Sequence, residues 1–272
     1  MTEIVKPKDY KSAIKPIWCP GCGDFGVLSS ITRAFAFLKL THEQTAVVSG
    51  IGCSSRLPAY LDTYGFHGLH GRALPVAAGL KAARPDLTVI AAGGDGDGYS
   101  IGGNHFLHAC RRNMDMTYIV MDNNVYGMTK GQPSPTTAPD WPSKLAPHGT
   151  GIRPFQPLAI ALSSGASFVA RGFAGDPANL TRLIVEAINH PGFSFIEVLS
   201  PCPTFRPEQK EWKHAVRQWQ EDPADDPVAA AGRIHADDGM STGIVYLSEL
   251  PAWQPGSEQS TSIERLEQAF YV

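Results

Sequence analysis

Long apolar runs, internal repeats and a surplus of either charge are all missing from this 272-residue sequence. No stretch approaches the ~18 continuous apolar residues of a membrane span, so a bilayer is not expected as a partner. Met1 to Ser12 carries charges with no apolar run behind them, which is not the pattern of a secretory signal, and a cytoplasmic location is expected. A balance of 23 basic against 26 acidic residues leaves a formal net charge of −3, too little of either sign to point to nucleic acid or an anionic membrane. Cysteine is scarce, with five in all. In a reducing compartment a Cys-x-x-Cys pair more often means metal or redox chemistry than a structural disulfide. What is present is ordinary for a globular protein, 43% hydrophobic and 18% charged. The 27 Gly and 22 Pro cluster at turns and imply long functional loops over a compact sheet.

Behind an arm over residues 1–17, strand and helix patterns alternate. Helical spacing of apolar residues covers 27–38, Ala73–Ala83 (stopped at Arg84-Pro85), 101–112, 157–164 and Pro177–Asn189. Short β-branched or apolar runs at Thr45–Ser49, 87–92, 116–121, 167–170 and Phe193–Leu199 read as strands. This rhythm predicts an α/β fold, a parallel sheet with helices on both faces. Residues 123–153 hold too much Gly, Pro and Thr for regular structure, and a loop that long in a compact domain is usually functional. After Pro201 the rhythm fails. One helix is expected over 208–220, an acidic linker over 221–227 and one strand over 243–247. The chain is therefore divided into a domain over 1–205 and a C-terminal extension over 206–272, expected to pack on a partner.

The most informative segment is Gly93-Gly94-Asp95-Gly96-Asp97-Gly98, at the end of the strand over 87–92. Ligands of parallel sheets bind at the carboxyl ends of strands. Glycines there let the backbone approach a phosphate, and an Asp supplies the hard oxygen that Mg²⁺ prefers. The next strand ends in Asp122-Asn123-Asn124-Val125-Tyr126-Gly127, one helix and one strand further on, so Asp95 and Asn123 can reach the same rim. An Asp carboxylate, an Asn amide oxygen and a backbone carbonyl two residues on would give three ligands. Each motif alone is as often a tight turn or a strand-end cap; the pair at matched strand ends favours a metal-bound diphosphate.

The cysteines add a second constellation. Trp18-Cys19-Pro20-Gly21-Cys22-Gly23 is a tight loop, Cys53 follows the strand Thr45–Ser49, and Cys202 follows the strand Phe193–Leu199. Four thiolates from three loops can hold tetrahedral zinc or a 4Fe–4S cluster. Singly, Cys53 or Cys202 reads as a small buried hydrophobe. Cys110 sits within a helical run and is assigned to the core.

GDG followed one helix–strand unit later by NN resembles the signature of thiamine-diphosphate enzymes. Together with CPGCG, GCSS, SPCP, TYGFHGLHGRALPVAAGLK, IGGNHF, RRN and VYGMTKGQPSPT, the chain from about Ile17 to Phe205 resembles the β subunits of the 2-oxoacid:ferredoxin oxidoreductases. The resemblance implies the diphosphate-binding domain of the thiamine-diphosphate fold, with Mg²⁺ on Asp95, Asn123 and the carbonyl of Val125. Asp97 and Asn124 are the alternatives in register. It also implies one 4Fe–4S cluster on Cys19, Cys22, Cys53 and Cys202. The implied activity is coenzyme A-dependent oxidative decarboxylation of a 2-oxo acid, with electrons leaving through the cluster to ferredoxin. An α subunit would supply the pyrimidine-binding domain and its glutamate. The GFHGLHGR stretch favours 2-oxoglutarate, with pyruvate next. A non-redox thiamine-diphosphate decarboxylase subunit and a zinc-stabilised nucleotide-binding module are the competing classes.

Around the diphosphate, Gly94, Asp95, Gly96, Asp97, Asn123, Val125, Gly127, Thr129 and His67 are candidates for holding the cofactor. Arg56 and His70 are candidates for acting on substrate, Arg56 through a bidentate pair with a carboxylate. Met128 and Lys130 are expected to line the substrate pocket.

Overall fold

The computed structural model describes residues 5–254 together with 267 and 268. Helix α1 (Asp24–Leu38) leads into β1 (Thr45–Ser49), β2 (Tyr64–His67), α2 (Ala73–Ala83) and β3 (Thr88–Gly94). A π-helical turn over Gly96–Ile101 then runs into α3 (Gly103–Arg112) and β4 (Met116–Asp122). After the long irregular stretch come α4 (Pro157–Ser163), β5 (Phe168–Phe173), α5 (Pro177–Asn189) and β6 (Phe193–Leu199). The sheet has the order β2-β1-β3-β4-β6-β5, all parallel. A further strand, β8 (Ser241–Leu247), lies antiparallel to β5.

Side chains alternate across the strands and so build two cores. On one face Val48, Ala91, Tyr118, Val120 and Phe195 pack with α2, α3 and α4. On the other, Val47, Ile90, Ile119, Met121 and Ile196 pack with α1 and α5. Every residue of β1, β4, β5 and β6 is buried, as expected of parallel strands covered on both faces. Cys110 is fully buried in the first core. No described helix is long and apolar enough to cross a membrane.

The structure corrects the reading beyond residue 205. Residues 208–220 are not one helix but a 3-10 turn (Pro207–Glu211), a single α-turn, α6 (Trp212–Ala215), and a two-residue strand, β7 (Arg217–Gln218), beside β8. A helix there would cost the side-chain ties that this segment makes to the loops of the site, described below. α7 (Pro227–Ala236) follows, with Pro227 at its first position and Asp226 accepting a hydrogen bond from the Ala229 N–H (2.9 Å). These are ordinary helix-start signals. α7 packs Ala230 and Ile234 on Leu158 and Ala161 of α4, and β8 (Ser241–Leu247) completes the sheet. The buried Arg171 of β5 donates to Glu197 of β6 (2.7 Å) and to Asp237 (2.6 Å). The division at 205 thus does not coincide with an edge of the fold. β2 has no predicted counterpart: it is four residues long and all four are exposed, so it forms no buried apolar run.

Candidate active site

β1 lies between β2 and β3, so the chain leaves it in one direction for β2 and returns past it to β3. That reversal opens a crevice at the carboxyl ends, the usual ligand position in such sheets. The loops after β1, β2, β3, β4 and β6 all end on this rim. Two cavities lie there, of about 120 Å³ and 130 Å³.

The first is floored by Gly94, Asp95 and Gly96 and walled by Asn123, Val125, Tyr126 and Gly127. Parallel register sets Gly94 beside Met121, which carries the next residues of both strands to the same edge. Asp95 is 2% exposed. Burial pushes its carboxyl above the usual carboxylate range, against hydrogen bonds from Ser134 and Thr136. The Thr136 hydroxyl lies 3.1 Å from Asp95 and 2.7 Å from Asp122, whose carboxyl is pushed further up by burial and then by the charge of Asp95. Two buried carboxyls sharing one hydroxyl are a site short of positive charge. A divalent cation would supply it, and the oxygen donor set of Asp95, Asn123 and a strand-end carbonyl is of the kind Mg²⁺ takes. A side chain at Gly96 would place its Cβ 2.2 Å from the Tyr126 ring, so the turn can pass this close only as glycine.

The two register alternatives separate on geometry. Asp97 takes the Ile51 N–H (2.9 Å), the Gly71 N–H (2.7 Å) and the His70 ring (2.7 Å) on one oxygen. It staples the loops after β1 and β2 to the one after β3. Asn124 turns away at φ 54° and donates to Asp122 (2.8 Å) and Thr136 (3.0 Å). It faces a third cavity, of about 290 Å³, on the far side of that link. Asp95 and Asn123 both line the first cavity, Asp95 accepting from Thr136 while one oxygen of Asp97 is engaged by groups from the loops after β1 and β2.

The second cavity brings Cys19, Cys22, Cys53 and Cys202 together, with Arg56 beside them. Cys19 is exposed, Cys22 and Cys53 are half-buried, and Cys202 is buried. The Cys53 backbone carbonyl accepts from the Trp18 indole (2.7 Å), which ties two of the cysteine loops. Burial pushes the Cys53 thiol up to about 11, helped by Asp24 and Cys202. Cys22 is raised by burial, then by Asp24, Cys202 and Cys53. Thiols that perturb one another share one space. A Cβ on Gly127 would lie 3.8 Å from the Cys53 sulfur and 4.0 Å from the Cys202 sulfur. The missing side chain leaves both sulfurs facing open volume, and the cysteines fit a bound metal group there.

Cys53, Asn123, Gly127 and Met128 line both cavities, so the two are neighbours with a common wall. His70 and Thr129 line the first. His67 and Lys130 are not brought in. The His67 ring is bound to the Ser55 carbonyl (2.6 Å) and the Ser49 hydroxyl (3.2 Å), a strand-end tie. Lys130 sits exposed at φ 79° and lines neither cavity.

Three residues absent from the sequence reading hold the site together. Gln209, 1% exposed, donates to the Asn123 carbonyl (2.7 Å) and accepts from the Cys202 N–H (2.8 Å). Arg206 donates to the Asn124 carbonyl (2.8 Å). Thr136 comes from the long loop, where nothing in the sequence distinguishes it from its neighbours. Gln209 had no signal either, since its role depends on contacts distant in sequence.

Residues 50–198 match the family model described as the C-terminal TPP binding domain of thiamine pyrophosphate enzymes. The 2-oxoglutarate oxidoreductase subunit KorB of Mycobacterium tuberculosis is 46% identical over 74% of this chain and 54% of its own length. The 2-oxoacid:ferredoxin oxidoreductase subunit beta of Saccharolobus solfataricus is 45% identical over 85% of this chain and 77% of its own. The solved 2-oxoglutarate:ferredoxin oxidoreductase of Magnetococcus marinus, with 2-oxoglutarate, coenzyme A and succinyl-CoA bound, superposes with a TM-score of 0.93. It is 41% identical, and the match covers 99% of this chain and 97% of that one. With this rim of glycines, carboxylates and cysteines, the chain belongs to the family of β subunits of the 2-oxoacid:ferredoxin oxidoreductases and carries their thiamine diphosphate-binding domain.

Proposed function

We propose that this chain anchors thiamine diphosphate through Mg²⁺ and carries electrons out through one 4Fe–4S cluster, in the coenzyme A-dependent oxidative decarboxylation of a 2-oxo acid. The observation that carries this reading is the common wall of the two cavities. Whatever is oxidised over the diphosphate loop lies next to the four thiols.

Bound thiamine diphosphate supplies the electron sink that decarboxylation needs. The chain's own part is to place it. Asp95, Asn123 and the Val125 carbonyl would hold the cation, and the backbone of Gly94 and Gly96 would lie along the diphosphate. Thr129 and His70 close the cavity's outer side, with Asp97 fixing the His70 ring. Arg56 and Met128 stand where substrate would meet the cysteine cavity, and a guanidinium there suits a carboxylate. The relatives' names and the ligands of the Magnetococcus structure support 2-oxoglutarate as the substrate and ferredoxin as the electron acceptor. An α subunit completes the site with the pyrimidine-binding domain.

The same four thiolates could instead hold tetrahedral zinc, and the two metal groups differ in colour and redox behaviour.

The test is the visible spectrum of the anaerobically purified protein, followed by assay of the reconstituted two-subunit enzyme. Brown protein bleached by dithionite, with 2-oxoglutarate turned over faster than pyruvate and only in the presence of the α subunit, is the expected result. Colourless protein with stoichiometric zinc overturns it.

A further inference from the structure

We propose that His70, held in place by Asp97, is the cation that clamps the diphosphate, and that the cofactor binds together with a proton taken up on this ring. This rests on the reading of the first cavity as the diphosphate site. The ring's orientation follows from which groups can donate. One oxygen of Asp97, Oδ1, lies 2.9 Å from the Ile51 N–H, 2.7 Å from the Gly71 N–H and 2.7 Å from His70 Nδ1. The two backbone groups can only donate. That oxygen is therefore an acceptor, and the proton of the third contact sits on Nδ1. The loop has little freedom to turn the ring elsewhere. Gly71 stands at φ 71°, and a Cβ there would lie 2.6 Å from the Gly102 nitrogen.

The other ring nitrogen, Nε2, has no hydrogen-bond partner among the described residues, and the side chain lines the first cavity. With Nδ1 protonated, a neutral His70 offers a lone pair at Nε2. A diphosphate oxygen is an acceptor too, so the two repel unless a proton comes between them. With that proton the ring is an imidazolium between two anions. It donates to Asp97 on one side and to the diphosphate on the other, and both hydrogen bonds are charge-assisted.

The charges around the cavity call for such a group. Its lining holds two acids, Asp95 and Asp97, and neither lysine nor arginine among the described residues. Cys53 and Tyr126, its other titratable members, can only become anions. Arg72 follows His70 in sequence but is turned to α3, where it donates to His105 (2.6 Å). A diphosphate with one Mg²⁺ keeps a net negative charge beside the two acids. His70 is the lining side chain that can offset it, because imidazole gains its charge near neutral pH. The ring thereby passes from the substrate, for which the sequence marks it, to the cofactor.

The test is calorimetric titration of thiamine diphosphate, at saturating Mg²⁺, into the cofactor-free complex with its α subunit. Wild type is compared with His70→Gln and His70→Lys at a pH above the imidazole range, in two buffers of different ionisation enthalpy. The dependence of the heat on the buffer counts the protons exchanged. Protons given up by Asp95 or by the cofactor are common to the three proteins and cancel in the comparison. The expected result is that wild type takes up about one proton more than either variant. Its affinity should fall by up to about tenfold per pH unit relative to His70→Gln. His70→Lys brings its charge with it and should bind more tightly than His70→Gln, without that added pH dependence. Equal proton uptake by wild type and His70→Gln overturns the proposal and leaves the diphosphate site standing. If His70→Gln binds no cofactor, His70→Lys decides: binding restored supports the clamp, and binding lost in both overturns it. A wild-type complex that binds no thiamine diphosphate with Mg²⁺ removes the reading of the cavity, and the clamp with it.

Discussion

The two cavities that share Cys53 and Gly127 are built by opposite means. On the diphosphate side, loops from three strands are cross-linked through one buried carboxylate, Asp97, and two more carboxyls meet at the Thr136 hydroxyl. On the cysteine side the loops are joined through backbone groups, by Trp18 and Gln209, and the thiols themselves are left to one another. Burial and neighbouring charge hold Cys22 and Cys53 protonated, and only a metal makes the thiolate the stable form there. The first cavity is therefore a shaped receptor that lacks charge. The second is a ring of ligands that acquires its ionised state with its metal.

That contrast breaks first at Asp95. Asp95→Ala should weaken Mg²⁺-dependent thiamine diphosphate binding by about 100-fold or more, since it deletes a metal ligand. The apoprotein should melt no lower than wild type, because a buried carboxyl is removed with it. Asp97→Asn should do the reverse in proportion, lowering the melting temperature of the apoprotein as the staple among three loops is lost. Calorimetric titration beside thermal melts separates the two, and equal losses of binding and stability in both variants would erase the distinction drawn between them.

Cys202→Ser is the matching change on the other side. It should abolish most of the iron content and the visible absorption, while cofactor affinity falls by less than about tenfold, as for a change outside the ligand set. Iron analysis and the same titration read both effects. A collapse of cofactor binding in this variant would mean that the two cavities are one cooperative unit.

Much of this rim was readable beforehand because it is local. Glycine at the end of a buried strand, an acid within the glycines and a paired amide at the next strand end are one-dimensional signals of a three-dimensional edge. Cys53 and Cys202 lie at predicted strand ends for the same reason, and Cys19 and Cys22 show as a pair in one tight loop. What escaped depends on contacts between distant segments. Gln209 joins the Asn123 and Cys202 loops from within a stretch whose helical spacing was overridden by those ties. Thr136 serves both carboxyls from a loop without periodicity. His67 was drawn into the site by its glycine-rich surroundings, although its ring is used to fasten β2 to β1. α7 was hidden by the acidic stretch before it, despite an Asp-Pro start that marks a helix.

A fourth change probes the charge left on the cysteine side. Asp24, 1% exposed, bonds to the Ser200 hydroxyl (2.9 Å) through one oxygen and leaves the other without a partner. Burial raises its carboxyl to about 6. The folded state then holds this proton more tightly than the unfolded chain, whose Asp titrates near 3.9. Stability from this group is present in acid and is lost as pH rises from about 4 to 6, by roughly 3 kcal/mol. Asp24→Asn keeps the acceptor for Ser200 and removes the titration. Its apoprotein should gain on wild type as pH climbs through that window and hold the gain above it. Parallel stability–pH curves for the two proteins would exclude Asp24 as the source.

The smallest effects come from two glycines, one in each region. Gly96→Ala forces a Cβ against the Tyr126 ring and should cost about 1–3 kcal/mol as overpacking. Gly127→Ala meets the Cys53 sulfur, the Phe205 ring and the Cys202 sulfur, all at ordinary contact distance, and should change apoprotein stability by less than about 0.5 kcal/mol. Its effect should appear instead in iron occupancy, because the added methyl group enters the volume that both sulfurs face. Denaturant melts of the two apoproteins, with iron content after reconstitution, make the comparison. If Gly127→Ala lowers stability as much as Gly96→Ala does, the cysteine side is as tightly packed before metal arrives as the diphosphate side, and the contrast between receptor and ligand ring fails.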